Sequence, residues 1–196
     1  MNVKPCVIGL GYVGLPLILN LSKKFDCIGF DINKKRVKTL RKRIDLNNEF
    51  NPKDFLNKKL YFTYNPEELI KSNFFIICVP TPVTKDKKPD LDNLNQAIKI
   101  VSKKLKKNDI IFIESTIFPG LTEKYKLILE KKSGLKENKD FFLGYSPERV
   151  NPGDKIHTIN NINKIVSIET NNSIVKRKIF SVYKLVSKKI IYLCDS

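Results

Sequence analysis

The sequence predicts an α/β fold in which helices cover both faces of a doubly wound, mostly parallel sheet. Short apolar runs, many of them β-branched, alternate with amphipathic stretches along almost the whole chain. Such runs are typical of strands that are buried on both sides. The stretches between them have helical spacing, as in 92–106, where Leu94, Ala97, Ile98 and Val101 form one apolar face.

This alternation predicts where each strand and each helix lies along the chain. The strands are predicted at 3–8, 26–30, 60–63, 74–79, 109–113, 141–144, 164–168 and 189–193, and the helices at 12–24, 33–43, 66–72, 92–106, 121–133 and 171–187. No internal repeat or low-complexity tract interrupts the pattern, so we expect one domain over residues 1–196.

Composition narrows the function classes. With 41% hydrophobic residues in 196, the chain can bury a sizeable core, which excludes a disordered protein. The net charge of +17 raises the possibility of a nucleic-acid-binding domain, which stays open as the non-enzyme alternative. The lysines, however, are scattered in short groups at predicted helix ends and solvent faces, which favours a solvated surface over a nucleic-acid partner.

No apolar stretch reaches membrane-spanning length, and a glycine-rich turn begins at Gly9, too early for a signal-peptide core. We therefore expect a cytoplasmic protein without a membrane partner. The four cysteines, Cys6, Cys27, Cys78 and Cys194, are far apart and contain no CxxC pair. No metal site is predicted, and the first three should be buried thiols because they lie in apolar strand-like runs.

The segment "GLGYVG", residues 9–14, sets the class of ligand. A predicted strand runs into Gly9 and a predicted helix leaves from about Tyr12, with Val13 on its apolar stripe. Gly9 permits the tight turn, Gly11 lets the backbone approach a pyrophosphate, and Gly14 lets the helix pack on the strand. The free N–H groups of the helix N-terminus favour phosphate. A Rossmann-type dinucleotide site is therefore predicted, the alternative being a glycine turn in an unrelated α/β domain.

Asp31 ends the second predicted strand, 17 residues beyond Gly14. An acid at this place can accept both hydroxyls of the adenosine ribose and repels a 2′-phosphate. The predicted cofactor is therefore NAD rather than NADP. The basic residues that follow, Lys34-Lys35-Arg36, weaken this predicted preference for NAD.

Three further strand ends carry polar loops. These are "VPTP" (79–82), "ESTIFPG" (114–120) and "YSPERVNPGD" (145–154). Ligands of open parallel sheets lie beyond the carboxyl ends of the strands. Pro80 and Pro82 stiffen the first loop, and Thr81, Ser115 and Thr116 can hydrogen-bond a cofactor or substrate. A single such loop is equally well explained as a turn or helix cap, but three together favour a ligand crevice.

Together these motifs resemble the UDP-glucose/GDP-mannose dehydrogenase family over residues 3–196. "GLGYVGLP", "FDIN..R", "VPTP", "ESTIFPG" and "YSPERVNPGD" occur in the order of that family. The form "SPERVNPGD" is most similar to the branch that oxidises UDP-N-acetylhexosamines (UDP-GlcNAc and UDP-ManNAc 6-dehydrogenases), including enzymes of Vi-type polysaccharide biosynthesis. Another sugar or β-hydroxyacid dehydrogenase would leave the last two motifs unexplained.

The resemblance implies a Rossmann-type N-terminal domain, a central helical domain that forms a homodimer and a C-terminal nucleotide-sugar domain. It implies oxidation of a sugar C6 alcohol to a carboxylate with two NAD, through a cysteine thioester. The residues it implies for NAD are Val13, Asp31, Arg36, Thr81 and Thr116. Thr116 and Glu148 would serve the chemistry by positioning or activating water, and Glu148, Arg149 and Val150 would contact substrate.

In the 145–154 loop, Pro147 and Pro152 restrict the backbone on either side of Glu148-Arg149-Val150. We expect this loop to hold the sugar against the nicotinamide. Without the resemblance, a surface salt bridge between rigid turns would be the better explanation of the acid and base; with it, the substrate role is favoured.

The chain departs from the family where it stops, at Ser196. The family's nucleophilic cysteine and central helix come after the Rossmann domain, and none of the four cysteines here lies in such a motif. We therefore expect an incomplete enzyme that does not turn over alone, or a free-standing NAD-binding remnant. The epimer of the UDP-sugar and the pathway stay open.

Overall fold

The computed structural model describes residues 2–148 and 163–193. The strands are β1 (Pro5–Ile8), β2 (Cys27–Phe30), β3 (Leu60–Thr63), β4 (Phe74–Ile77), β5 (Asp109–Ile113), β6 (Phe141–Tyr145), β7 (Asn163–Ile168) and β8 (Lys189–Leu193). The α-helices are α1 (Gly14–Ser22), α2 (Lys34–Arg41), α3 (Asp92–Ser102), α4 (Leu121–Ser133) and α5 (Ser173–Tyr183), and 3₁₀-helices lie at Pro52–Phe55 and Pro66–Lys71.

All eight strands form one sheet in the order β3-β2-β1-β4-β5-β6-β7-β8. The first six strands in this order, β3-β2-β1-β4-β5-β6, run parallel to one another. From β1 the chain moves outward to β2 and β3, and then returns to build β4, β5 and β6 on the other side. The strand order therefore reverses between β1 and β4, which opens a crevice at their carboxyl ends. This arrangement confirms the predicted doubly wound, Rossmann-type fold.

The core has two layers, one on each face of the sheet. Apolar side chains of α1, α2 and α5 pack on one face, and those of α3 and α4 pack on the other. In β4, Phe74 and Ile76 belong to the first layer, whereas Phe75 and Ile77 belong to the second. A strand covered on both faces needs apolar residues at every position, which explains its unbroken apolar sequence.

Cys6, Cys27 and Cys78 are buried free thiols, as predicted. Burial raises the pKa of Cys6 and of Cys27 well above the usual range. Cys194 and the single histidine lie outside the described residues. Within the described ranges, no group of three potential metal ligands forms, and no helix is long and apolar enough to cross a membrane.

The strand β7 runs antiparallel to β6, which the sequence pattern did not indicate. Only Gly144↔Ile168 and Tyr145↔Ser167 are paired, and β7 then pairs in parallel with β8. Because β7 enters from the opposite direction, its first residues extend past the carboxyl end of β6.

The predicted helix 66–72 is wrong in type, since this segment forms the 3₁₀-helix Pro66–Lys71. Asn65 accepts a hydrogen bond from the Glu67 N–H at its start, and Ser72 is already extended. Six residues give too few turns for an α-helix to gain from propagation. The predicted helices 12–24, 92–106 and 171–187 are shorter than expected at their ends.

Candidate cofactor site at the carboxyl edge of the sheet

A cavity of about 820 Å³ lies at the carboxyl edge of the sheet. Its volume is within the range of small-molecule and cofactor sites. One end is formed by the turn after β1 and the residues after β2. The other end is formed by the loops that follow β4, β5 and β6. The cavity therefore joins the five strand-end segments that the sequence singled out.

The turn after β1 requires glycine at its first position. Gly9 has φ +90°, and a Cβ there would lie 2.7 Å from the carbonyl oxygen of Cys78. Its N–H donates to the Phe30 carbonyl at 2.9 Å. The turn thus lies in close contact with the ends of both neighbouring strands, β2 and β4. Only a residue without a side chain fits there.

The N-terminus of α1 provides an anion site beside this turn. The preceding residue, Val13, makes no side-chain cap, and the first helical turn contains no acid. Gly11, Tyr12 and Val13 line the cavity, and no atom lies within 4 Å of a Cβ built on Gly11. The uncapped N–H groups and the open approach fit a pyrophosphate.

Asp31 lines the same end of the cavity, and its carboxylate is held by the backbone. One oxygen, Oδ2, accepts from the Leu10 N–H at 2.9 Å, and Oδ1 accepts from the Asn33 N–H at 2.8 Å. Each oxygen keeps a further lone pair for a ligand hydroxyl. The fixed position beside the glycine turn fits a ribose.

Two of the sequence-predicted residues lie behind the turn rather than on the cavity wall. A Cβ on Gly14 would lie 1.8 Å from the Gly9 carbonyl oxygen, so Gly14 lets α1 pack on the turn. Buried Arg36 donates from Nε to the Leu10 carbonyl at 2.9 Å and from Nη1 to Asp45 at 2.6 Å. The predicted contact of Arg36 with NAD stays a prediction.

The loops at the other end are tied to each other. The Thr81 hydroxyl donates to the Thr116 carbonyl at 3.0 Å, and the Ser115 hydroxyl donates to the Val79 carbonyl at 2.7 Å. All of these residues, with Pro80 and Pro82, line the cavity. The Ser115 hydroxyl proton is therefore used within the protein, whereas the exposed Thr116 takes part in this contact through its backbone carbonyl and lines the cavity.

Two carboxylates of this end share one lysine. Lys164 of β7 places Nζ 2.8 Å from Oε2 of Glu114 and 2.8 Å from Oε2 of Glu148. The side chains of Lys164 and Glu114 are both 0% exposed, and both glutamates line the cavity. Arg149 and Val150, the other predicted substrate residues, lie outside the described residues.

Burial raises the pKa of Glu114, and the Lys164 charge offsets part of this shift. Burial by itself would lower the pKa of Lys164, but the two glutamates outweigh it and raise this pKa above its usual range. Lys164 therefore stays protonated. The hydroxyl of Tyr183 faces Glu114, yet neither it nor Glu114 Oε1 makes a well-formed hydrogen bond to any described group.

The sequence interpretation missed the roles of Lys164 and Glu114. One signal was present: in β7, Lys164 alternates with Val166 and Ile168, so it stands on the face that turns to the core. A lysine on a buried face requires a partner of opposite charge. Its partners could not be identified, because they lie 50 and 16 residues away along the chain.

The family model described as "UDP-glucose/GDP-mannose dehydrogenase family, NAD binding domain" matches residues 3–187. Protein CapL of Staphylococcus aureus is 48% identical over 171 residues, which cover 87% of this chain and 40% of the relative. The UDP-N-acetyl-D-glucosamine 6-dehydrogenase of Pseudomonas aeruginosa is also 48% identical over 171 residues, with 86% and 40% coverage.

Among solved structures, that of the UDP-D-ManNAc dehydrogenase from Pyrococcus horikoshii is similar with a TM-score of 0.88 and 33% identity. The alignment covers 98% of this chain and 47% of that one. The chain thus spans less than half the length of the relatives that it matches.

Proposed function

Since the chain belongs to the UDP-glucose/GDP-mannose dehydrogenase family, as its NAD-binding domain, we propose that it is the cofactor half of a cytoplasmic UDP-N-acetylhexosamine 6-dehydrogenase. One observation carries this proposal. Glu148, from the motif that is most similar to the UDP-N-acetylhexosamine branch, faces the same cavity as the glycine turn and Asp31. A substrate held at Glu148 would therefore lie next to the cofactor.

The residues around the cavity fit NAD. Gly11 and the start of α1 would hold the pyrophosphate, and Asp31 would hold the adenosine ribose. Thr81 and Thr116 would contact the other half of the cofactor, where their loops are joined by a hydrogen bond. When bound, NAD supplies the acceptor for the hydride of an alcohol.

Glu148 would accept a proton from water near the sugar, with Thr116 helping to position that water. Lys164 would hold the Glu148 carboxylate in place. Arg149 and Val150 would contact the sugar. The substrate class comes from the named relatives, which act on UDP-N-acetyl-D-glucosamine and UDP-N-acetyl-D-mannosamine.

Turnover would need the remaining family domains, including a nucleophilic cysteine and a helical domain that forms a homodimer. On this proposal, the chain of 196 residues binds NAD but makes no UDP-uronic acid by itself. Steady NADH formation by this purified chain with a UDP-sugar would contradict that expectation.

We expect Asp31→Asn to reduce the preference for NAD over NADP. The variant should lose one repulsion against the 2′-phosphate, which narrows the ratio of the two dissociation constants by roughly tenfold. Isothermal titration of both cofactors measures the ratio. Asp26→Asn is the matched control, because Asp26 precedes the same strand at the opposite edge of the sheet. Equal affinity of the parent chain for both cofactors would contradict the role of Asp31.

The proposed reaction can be tested in a chimera that joins this chain to the remaining segment of the Pseudomonas aeruginosa relative. NADH formation should be faster with UDP-N-acetylhexosamines than with UDP-glucose. Glu148→Gln should slow turnover by roughly 10²-fold, the scale of a lost general base, with NAD affinity nearly unchanged.

The exposed Glu123→Gln on α4 controls for the loss of any carboxylate, and we expect full activity from it. If Glu148→Gln lowered only thermal stability while turnover survived, the loop after β6 would have a structural role and Glu148 would not act in the reaction.

A further inference from the structure

The basic run after β2 bears on the choice between NAD and NADP, and only one of its members is buried. Lys34 and Lys35 are exposed, and the Lys34 ammonium lies over the ring of Tyr64. Arg36, in contrast, is only 9% exposed. In Rossmann folds that bind NADP, a nearby arginine accommodates the 2′-phosphate. What the Arg36 guanidinium contacts is therefore important for cofactor specificity.

Arg36 is connected to the ribose end of the cavity through one residue. Leu10 donates its N–H to Asp31 Oδ2 at 2.9 Å, and its carbonyl accepts from Arg36 Nε at 2.9 Å. Since Leu10 alone spans the gap between these two hydrogen bonds, Asp31 Oδ2 and Arg36 Nε are at most about 10 Å apart. At this separation the charge of a buried guanidinium is only weakly screened, so it acts on a phosphate bound at the ribose.

A single carboxylate compensates the charge of Arg36, which is permanent because arginine is not deprotonated in proteins. Asp45 accepts from Arg36 Nη1 at 2.6 Å, and the Asp45 side chain is 0% exposed. In the part of the chain that the structure describes, Arg36 forms no second ion pair, and its Nη2 has no hydrogen-bond partner. The exposed Glu49 interacts electrostatically with both residues of the pair without contacting Arg36.

The backbone holds Asp45 in place and keeps it ionised. Its carboxylate also accepts from the N–H groups of Asn47 at 3.2 Å and Glu49 at 3.0 Å. Burial by itself would raise the pKa of Asp45, but the hydrogen bonds from Arg36 and from these N–H groups outweigh it and lower this pKa. The Arg36–Asp45 pair is therefore a fixed ion pair behind the glycine turn, whereas Asp31 lies on the cavity wall.

We propose that Asp45 is a second specificity-determining residue for NAD over NADP, because it compensates the Arg36 charge that would otherwise attract a 2′-phosphate. Asp31 would repel this phosphate from the cavity wall, and Asp45 prevents Arg36 from stabilising it from behind the turn. The inference rests on the cofactor site of the function proposed above. It needs neither substrate nor turnover, and it assigns no contact between Asp45 and the cofactor.

The test is the ratio of the NADP and NAD dissociation constants, measured by isothermal titration of the parent chain and of Asp45→Asn. The substitution removes the negative charge and keeps the size of the side chain. The pyrophosphate is common to both cofactors, so the ratio isolates the effect on the 2′-phosphate. We expect the ratio to fall by roughly three- to tenfold, the scale of a unit charge acting on a doubly charged phosphate at this separation in a water-like dielectric.

Two further variants test the cause. Adding Arg36→Gln to Asp45→Asn removes the uncompensated positive charge and should return the ratio to the parent value, which a general loosening of the loop would not do. Asp26→Asn, exposed at the opposite edge of the sheet, removes an equal negative charge and should leave the ratio unchanged.

Circular dichroism establishes that each variant is folded. Asp45→Ser keeps an acceptor for the Asn47 N–H and provides the test if Asp45→Asn does not fold. An unchanged ratio in a folded Asp45 variant would overturn the inference, and so would a lowered ratio that persists after Arg36 is replaced. Both results would leave the proposed NAD site standing as long as the parent chain binds NAD. A parent chain that binds neither cofactor would overturn the inference and the proposed function together.

Discussion

Gly14→Ala should destabilise the chain by about 3 kcal/mol or more, the upper range for an overpacked core. The added Cβ would lie 1.8 Å from the Gly9 carbonyl oxygen and 3.1 Å from Cγ1 of Val7. Neither neighbour can move easily, because Gly9 is fixed by its hydrogen bond to Phe30 and Val7 is completely buried. The start of α1 would have to shift away from β1. Urea denaturation followed by circular dichroism measures the loss.

Gly11→Ala is the matched control in the same turn. Its Cβ would meet no atom within 4 Å, and its backbone is not in the left-handed region. We expect the free energy of unfolding to stay within about 0.5 kcal/mol of the parent value. The affinity for NAD should fall by roughly tenfold or more, because the methyl group would stand where we propose that the pyrophosphate binds.

These two variants separate stability from binding within one motif. The roles assigned to the two glycines would be wrong if Gly14→Ala were as stable as the parent chain, or if Gly11→Ala bound NAD equally well.

Lys164→Met should cost about 3–5 kcal/mol of stability near neutral pH, the usual result of removing one partner from a buried ion pair. The variant keeps Glu114 and Glu148 but removes the only cation that contacts both of them in the described part of the chain. Methionine has nearly the length of lysine, so the change removes the charge with little loss of packing. Chemical denaturation gives the difference in free energy of unfolding.

The cost should depend on pH in a defined direction. Burial already raises the pKa of Glu114, and without Lys164 this pKa rises further in the folded state. The unfolded chain has an ordinary glutamate pKa of about 4.3. Between these two values the folded state binds more protons, so stability falls as the pH rises through this window. The variant should approach the parent near pH 5 and show its full deficit near pH 8.

Two further variants test the cause. Adding Glu114→Gln to Lys164→Met removes the buried carboxylate that has lost its lysine. The double variant should regain part of the stability and show a flatter pH dependence. Lys99→Met, on the exposed face of α3, should change stability by no more than about 0.5 kcal/mol. A pH-independent deficit in Lys164→Met would show that the lysine acts through packing alone.

Much of the fold is predictable because its signals are local. The apolar runs of β4 and β5 are buried on both faces, and runs of this kind are short and bounded by polar residues. The turn at Gly9 needs a positive φ, and the glycine at this position in the sequence predicts such a conformation. Asp31 could be placed at the cavity because it ends a strand beside that turn. The 3₁₀-helix at Pro66–Lys71 was missed because its composition suits either kind of helix.

The sequence by itself thus determined the doubly wound sheet, the glycine turn and the position of Asp31 at the cavity, since each depends on neighbouring residues. Only the tertiary structure joined Lys164 to Glu114 and Glu148. That contact exists because β7 runs antiparallel to β6 and extends past its carboxyl end, which delivers the lysine to the edge where both glutamates lie. The direction of a strand depends on pairing and burial across the whole sheet, so no local pattern encodes it.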